Sequence, residues 1–110
     1  MFHVTVYVNS KEEYIGFRTK GHAGYALAGQ DIVCAAASVL TINTINAIDA
    51  FTNAKAQLEA DQEEGYISYL FEGNVPKEAN LLLKTMVLGL TQMSHDEDYA
   101  QYIDLTFEEV

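Results

Sequence analysis

One segment of 18 residues, from Gly21 to Ser38, carries the residue types that could do nucleophilic chemistry; it reads GHAGYALAGQDIVCAAAS. It holds the single cysteine of the chain, Cys34, and one of its three histidines, His22. A thiol reacts as its thiolate, and an imidazole that titrates near neutrality can pair with that thiolate and later protonate a leaving amine. The pair therefore indicates thiol catalysis, with Cys34 as the nucleophile and His22 as the general acid and base.

The position of Cys34 in a predicted helix supplies a reason for its reactivity. Asp31 is a good N-cap, and the apolar residues that follow recur at helical spacing, so we expect a helix from about Ile32 to Phe51. In the first turn of that helix, the partial positive charge of the backbone N–H groups favours a thiolate over a thiol. The N–H groups of Cys34 and Ala35 could also stabilise an oxyanion on an attacked carbonyl.

The connection that leads into this helix contains three glycines, Gly21, Gly24 and Gly29. Glycine gives the backbone conformational freedom, and a connection of this length in a small domain is more often functional than idle. We predict that it is mobile without substrate and that it closes over a bound peptide.

Two further polar residues of the segment have open roles. Asp31 can cap the helix, which would tend to raise the pKa of the Cys34 thiol, or it can orient His22, as a carboxylate does in many such sites. Ser38 follows Cys34 by one helical turn, on the same face, and we expect it to pack or to donate a hydrogen bond rather than to act as a second nucleophile.

Plainer interpretations of the same residues remain open at this point. A single cysteine on an apolar helix is often a small buried hydrophobic residue, and His22 alone would be an ordinary loop histidine. The spacing of His22, Asp31 and Cys34 fits no common zinc site, and the glycines match neither the dinucleotide-binding fingerprint nor the P-loop. The sequence therefore predicts no metal and no other cofactor.

Composition narrows the class of partner and the compartment. The 110 residues carry a net charge of −10 with only six lysines and arginines, which argues against direct nucleic-acid binding and favours a basic partner. The start of the chain, MFHVTVYV, predicts a strand rather than a signal peptide. We expect no membrane-spanning segment, because polar residues interrupt the most apolar stretch, and we expect a cytoplasmic protein with a reduced thiol.

The remaining pattern predicts the scaffold, a single domain over residues 1–110. Alternating residues predict strands at 2–8, 14–20, 66–71 and 99–107, and a second helix is expected to begin at Pro76. Residues 52–64 are expected to form a polar, acidic connection. The order ββαβαβ predicts an α+β fold, with one four-stranded mixed sheet and both helices packed on one face. Leu81 and Leu88 lie off the core stripe of the second helix, so they could pair with another subunit.

The segment GHAGYALAGQDIVCAAAS resembles the signature of the ribosomal-processing cysteine protease family, Prp. The glycine-histidine-alanine-glycine start and the aspartate three residues before the cysteine are both intact. The resemblance extends over the whole chain in length and in the order of the elements, and His22 and Cys34 match the catalytic pair of the family.

The resemblance implies a specific activity. Family members remove a short N-terminal extension from the precursor of ribosomal protein bL27 during maturation of the large ribosomal subunit, and they are typically homodimers. Their substrates are cut after a pair of phenylalanines, which implies an apolar pocket near Cys34. Two competing hypotheses are a non-catalytic acidic escort for a basic ribosomal protein and another thiol enzyme, such as an acyltransferase.

Overall fold

The computed structural model describes residues 1–21, 28–61 and 63–110, and for residues 28–31 it describes the helical backbone. Five strands and two helices follow one another along this part of the chain as β1 (Phe2–Val8), β2 (Tyr14–Lys20), α1 (Ala28–Phe51), β3 (Ala56–Asp61), β4 (Tyr66–Phe71), α2 (Lys77–Ser94) and β5 (Ile103–Glu109). A short 3-10 turn, Ala100–Tyr102, precedes β5.

The sheet has five strands in the order β3-β4-β2-β1-β5. The prediction of four strands was therefore wrong, because β3 lies in the segment that we expected to be a polar connection. Two antiparallel hairpins, β1–β2 and β3–β4, are joined edge to edge by antiparallel pairing of β2 with β4. Because β5 pairs with β1 in parallel, the sheet is mixed, as predicted.

Both helices pack on one face of this sheet, and the core lies between the two layers. Phe2, Val4 and Val6 alternate along β1 onto that face and are buried there. From α2 come the core residues that its 3.6-residue period predicts, namely Ala79, Leu83, Met86, Val87 and Leu90. The α+β class and the one-sided helix layer therefore agree with the sequence pattern.

Helix α1 buries a narrower apolar stripe than its sequence suggests. Val33, Ala37 and Ile48 are buried in the core. The helical spacing of the apolar residues also predicted Phe51 on the core side, and this was wrong, because Phe51 is 79% exposed at the end of the helix. Thr41 is buried on the same side as Ala37, and its hydroxyl donates to the Ala37 carbonyl at 2.9 Å. That bond satisfies a hydroxyl that would otherwise be costly to bury.

By length and composition alone, the stretch Ile32–Phe51 of α1 could cross a membrane, and this corrects the expectation that no segment is apolar enough. The core helix of a globular domain passes the same test. Here α1 packs against α2 and β1 through its buried stripe, while Asn43, Asn46 and Asp49 are exposed. These contacts place α1 in the helix layer that covers one face of the sheet.

Leucines on opposite sides of α2 provide a matched test of the core. Leu83 has no exposed surface, whereas Leu81 is 65% exposed, as predicted for a residue off the core stripe. We expect Leu83→Ala to lower the free energy of unfolding by about 2–5 kcal/mol, because it removes buried methyl groups and leaves a cavity. Leu81→Ala should change it by less than about 0.5 kcal/mol. Chemical denaturation of both variants measures the difference, and equal losses would contradict the packing described above.

Candidate functional site

Cys34 lies on the side of α1 that faces the sheet. Its side chain is 4% exposed and belongs to the core cluster together with Val33 and Ala37. The helix begins at Ala28, four residues before the predicted start at about Ile32, so Cys34 is its seventh residue and lies in the second turn. The prediction that Cys34 occupies the first turn was therefore wrong.

This earlier start changes the electrostatic argument for the thiol. Backbone N–H groups beyond the first turn of an α-helix are bonded to carbonyls four residues earlier, so those of Cys34 and Ala35 are paired within α1. They are not available to stabilise an oxyanion in the way that the sequence suggested. The effect of the helix dipole also falls off within the first turn, so it favours the Cys34 thiolate only weakly.

The earlier start also relocates Asp31 and Gly29. Both lie within the first turn of α1, so the prediction that Asp31 is the N-cap was wrong. The orienting role of Asp31 towards His22 stays a prediction, because His22 and Gly24 lie outside the described residues. The expected mobility and closure of the glycine-rich connection also concern residues outside that part of the chain.

Gly21 directly follows β2 and marks where the chain turns towards this segment. Its φ of +137° is a conformation that residues with a side chain rarely adopt, and a Cβ at this position would lie 2.5 Å from the carbonyl oxygen of Met1. Glycine is therefore required here for both conformation and space.

Substitution of Gly21 separates these two requirements. We expect Gly21→Ala to destabilise the fold by more than the roughly 1–3 kcal/mol of backbone strain alone, because the new methyl group also meets the β1 backbone. Gly73→Ala is the matched control, since Gly73 has a φ of +69° and no atom lies within 4 Å of the position that its new methyl group would take. Thermal unfolding should show a larger loss for Gly21→Ala, and the reverse order would contradict this account.

A groove opens between α1 and the sheet, beside the helix turn that follows Cys34. Its volume is about 300 Å³, and both Gly21 and Ser38 line it. The structure thus brings the start of the glycine-rich connection and the helix that carries Cys34 to one cavity. Most of the other side chains that line the groove are apolar: Phe2, Ile42, Ile45, Leu58, Ala60 and Ile67. Such a surface suits an apolar side chain of a ligand.

Sequence reasoning missed the part of this groove that β3 supplies. Leu58 and Ala60 face the groove, whereas Gln57 and Glu59 alternate with them on the other side of the strand. The period of two in Ala56–Asp61, AQLEAD, was the available signal. Glu59 and Asp61 obscured this alternation, since they made the segment resemble a polar connection. An edge strand that is exposed along its length can carry such charged residues.

Three titratable residues outside this segment, His3, His95 and Tyr69, have surroundings that suggest no catalytic role. His3 is bonded to Asp104 at 3.2 Å on the sheet surface, and the backbone of His95 ends α2. Burial, and secondarily the charge of Asp49, raises the pKa of Tyr69, which therefore stays protonated at neutral pH. Among the described side chains, no group of three His, Cys, Asp or Glu is placed to hold a metal ion.

Comparison with known proteins gives consistent matches over nearly the whole chain. The family model described as cysteine protease Prp matches residues 1–104. A protein of Staphylococcus aureus (strain NCTC 8325 / PS 47) named ribosomal processing cysteine protease Prp is 30% identical over 108 residues, 98% of this chain and 100% of that protein. The protein of the same name from Bacillus subtilis (strain 168) is 26% identical over 100 residues, 87% of this chain and 89% of its own length.

Solved structures extend the likeness to three dimensions. The crystal structure of the ribosomal processing protease Prp from S. aureus with a substrate peptide has a TM-score of 0.90 and 29% identity, covering 98% of this chain and all of that one. The same protease with a covalently linked product peptide gives a TM-score of 0.86 and 30% identity over the same shares. The fold described above is therefore that of a protein crystallised with a peptide covalently attached.

Proposed function

This chain belongs to the cysteine protease Prp family and is therefore a cysteine peptidase, and we propose that it processes a ribosomal protein. Its substrate in this proposal is the precursor of ribosomal protein bL27, from which it removes a short N-terminal extension. The observation that carries the proposal is the apolar groove beside the helix of Cys34, lined by Gly21 after β2 and by Ser38 from α1. An extended peptide placed there would contact Ser38, which lies one helical turn after Cys34 on the same face of α1.

The first half of the proposed reaction forms an acyl-enzyme. The Cys34 sulfur, as a thiolate paired with protonated His22, attacks the carbonyl carbon of the scissile peptide bond and makes a carbon–sulfur bond. The carbonyl electron pair moves onto oxygen, which gives a tetrahedral oxyanion. When that intermediate collapses, the carbon–nitrogen bond breaks and His22 transfers its proton to the departing amine, which leaves as the new N-terminus.

The second half releases the extension. His22, now neutral, accepts a proton from a water molecule as the water oxygen attacks the thioester carbon. The carbon–sulfur bond breaks, the extension leaves as a carboxylic acid that releases its proton to solvent, and Cys34 returns as a thiolate beside protonated His22. Since the N–H groups of Cys34 and Ala35 are paired within α1, the oxyanion needs other donors, and the N–H groups of the first turn, which have no partner within the helix, are candidates.

Two properties of the described surface support a ribosomal precursor as substrate. The apolar lining of the groove suits aromatic side chains, which the family resemblance implies on the N-terminal side of the cleaved bond. The net charge of −10 favours encounter with a basic protein such as a ribosomal one, mainly by raising the association rate.

The working form in this proposal is a cytoplasmic homodimer whose subunit is one domain over residues 1–110. Leu81 and Leu88 on α2 are 65% and 60% exposed and lie one above the other on its outer side. Exposed leucines so arranged are a common element of an interface between subunits. Asp31 orients His22 in this proposal.

Mass spectrometry tests the proposed substrate directly. The bL27 precursor of the source organism is incubated with the purified protein, and the product masses should correspond to one cut that separates the N-terminal extension from the mature protein. A precursor whose cleavage point is changed from apolar to charged residues is the matched control and should stay intact. An uncut wild-type precursor, with the protein folded and its thiol reduced, would refute bL27 as the substrate.

A further inference from the structure

Strand β3 forms one edge of the sheet, since its only partner among the described residues is β4. The Glu72 N–H donates to the Lys55 carbonyl at 2.8 Å, so these two residues form a hydrogen-bonded pair. The next pair along the ladder is Ala56 opposite Phe71. Hydrogen-bonded and non-hydrogen-bonded pairs alternate along an antiparallel ladder. The N–H and C=O groups of Leu58 and Ala60 therefore point away from β4, towards the edge.

The same two residues contribute side chains to the groove. Leu58 is 51% exposed and Ala60 is exposed as well, and both line the cavity that Ser38 and Gly21 also line. Successive residues of a strand alternate in both side-chain and backbone direction, so this edge combines outward backbone groups with an apolar side-chain surface. Such a combination accepts an extended peptide as an additional strand.

The charge along this hairpin matches a basic peptide. Glu59 and Asp61 on β3, and Glu63 and Glu64 in the turn that follows, are all exposed. Of these, Asp61 lies at the groove itself. A cationic chain on this edge would have acidic side chains beside it, whereas an acidic chain would be repelled.

We propose that the substrate binds as a sixth strand along the β3 edge, paired with the outward N–H and C=O groups of Leu58 and Ala60. Alternate substrate side chains then enter the apolar groove, and the intervening ones face solvent. Lysines and arginines of the substrate lie beside the acidic side chains of the β3–β4 hairpin. This inference rests on the proposed protease function and adds that the main chain of the substrate is recognised, in one register, before the bond is cut.

Proline at position 60 tests the pairing, because it removes an outward N–H group that the β3–β4 ladder does not use. The probe is a synthetic peptide that spans the cleavage point of the bL27 precursor. We expect Ala60→Pro to lower kcat/KM by about tenfold, from the lost hydrogen bond and the clash of the ring with the added strand. Ala56→Pro makes the same change on the same strand at a residue that does not line the groove, and it should retain activity.

Thermal unfolding of the two proline variants separates a lost contact from a lost fold. Unchanged kcat/KM in a folded Ala60→Pro variant would overturn the proposal, and so would equal losses in both proline variants. Analytical ultracentrifugation adds a further criterion: if Ala60→Pro dissociates a dimer, the edge is an interface between copies of the chain, and the proposal fails. Cleavage of the peptide by the wild-type protein is scored separately, because it tests the proposed substrate rather than the mode of binding.

A scan of the substrate backbone gives an independent readout. Peptides N-methylated at one residue at a time lose one N–H donor each. A strand bonded on one side should lose cleavage at every second position within the paired segment, because its N–H groups alternate in direction. Losses at consecutive positions, or at none, would contradict pairing with β3 even if the groove side chains contact the peptide.

Discussion

Replacing Cys34 with alanine is expected to abolish peptide cleavage while leaving the binding of substrate largely intact. In the proposed mechanism the sulfur forms the covalent bond of the acyl-enzyme, and no neighbouring group replaces it. Loss of the nucleophile in a related catalytic arrangement removes at least about 10⁴-fold in rate. Single-turnover cleavage of the bL27 precursor peptide measures the loss, and fluorescence anisotropy with the labelled peptide measures binding.

The fold should tolerate this change. Alanine is smaller than cysteine by one sulfur atom, and the cavity left at a residue that is 4% exposed should cost no more than about 1–2 kcal/mol. Asn43→Ala, at an exposed position on the same helix that does not line the groove, is the control and should cleave at the wild-type rate. A folded Cys34→Ala variant that trims the precursor at the normal rate would show that the mechanism is wrong.

Replacing His22 with alanine is expected to give the second largest effect. Because Cys34 lies in the second turn of α1, the helix dipole contributes little to its thiolate, and pairing with the imidazole must supply most of the activation. We expect cleavage to fall by about 10²–10⁴-fold, the usual contribution of a general acid and base. Alkylation of Cys34 by iodoacetamide at neutral pH should slow as well, and its pH dependence should move towards the value of an ordinary thiol, about 8.5.

Two other histidines make good controls for this experiment. His3 is paired with Asp104 on the sheet surface, and His95 follows the last turn of α2, so replacing either with alanine should leave cleavage and alkylation unchanged. Slow alkylation that does not depend on His22 would favour the competing hypothesis of a non-catalytic acidic escort. The small reagent matters here, because the thiol is nearly buried and a bulky one would report access rather than reactivity.

Local patterns in the sequence determined most of the scaffold. The alternation in β1 and β2 and the apolar period of α2 predicted the right elements, with strand bounds that agree to the residue for 14–20 and 66–71. Both patterns show which face of a single helix or strand meets the core. That face is set by residues close together in the sequence, so it can be predicted without the tertiary structure. The candidate nucleophile and its histidine partner were likewise evident, because a single cysteine and its family signature are features of the chain itself.

Only the tertiary structure decided what surrounds that cysteine. Strand β3 exists because it pairs with β4, and such pairing can stabilise a strand whose residues are mostly exposed and include two carboxylates. The groove arises where α1 passes over β3 and β4 without contacting them closely, so its lining joins residues as distant in sequence as Phe2 and Ile67. The start of α1 at Ala28 overrode the local capping signal of Asp31. Propensity and capping are weak compared with packing, so the sequence determined the candidate nucleophile, and the fold determined the electrostatics and the apolar surface around it.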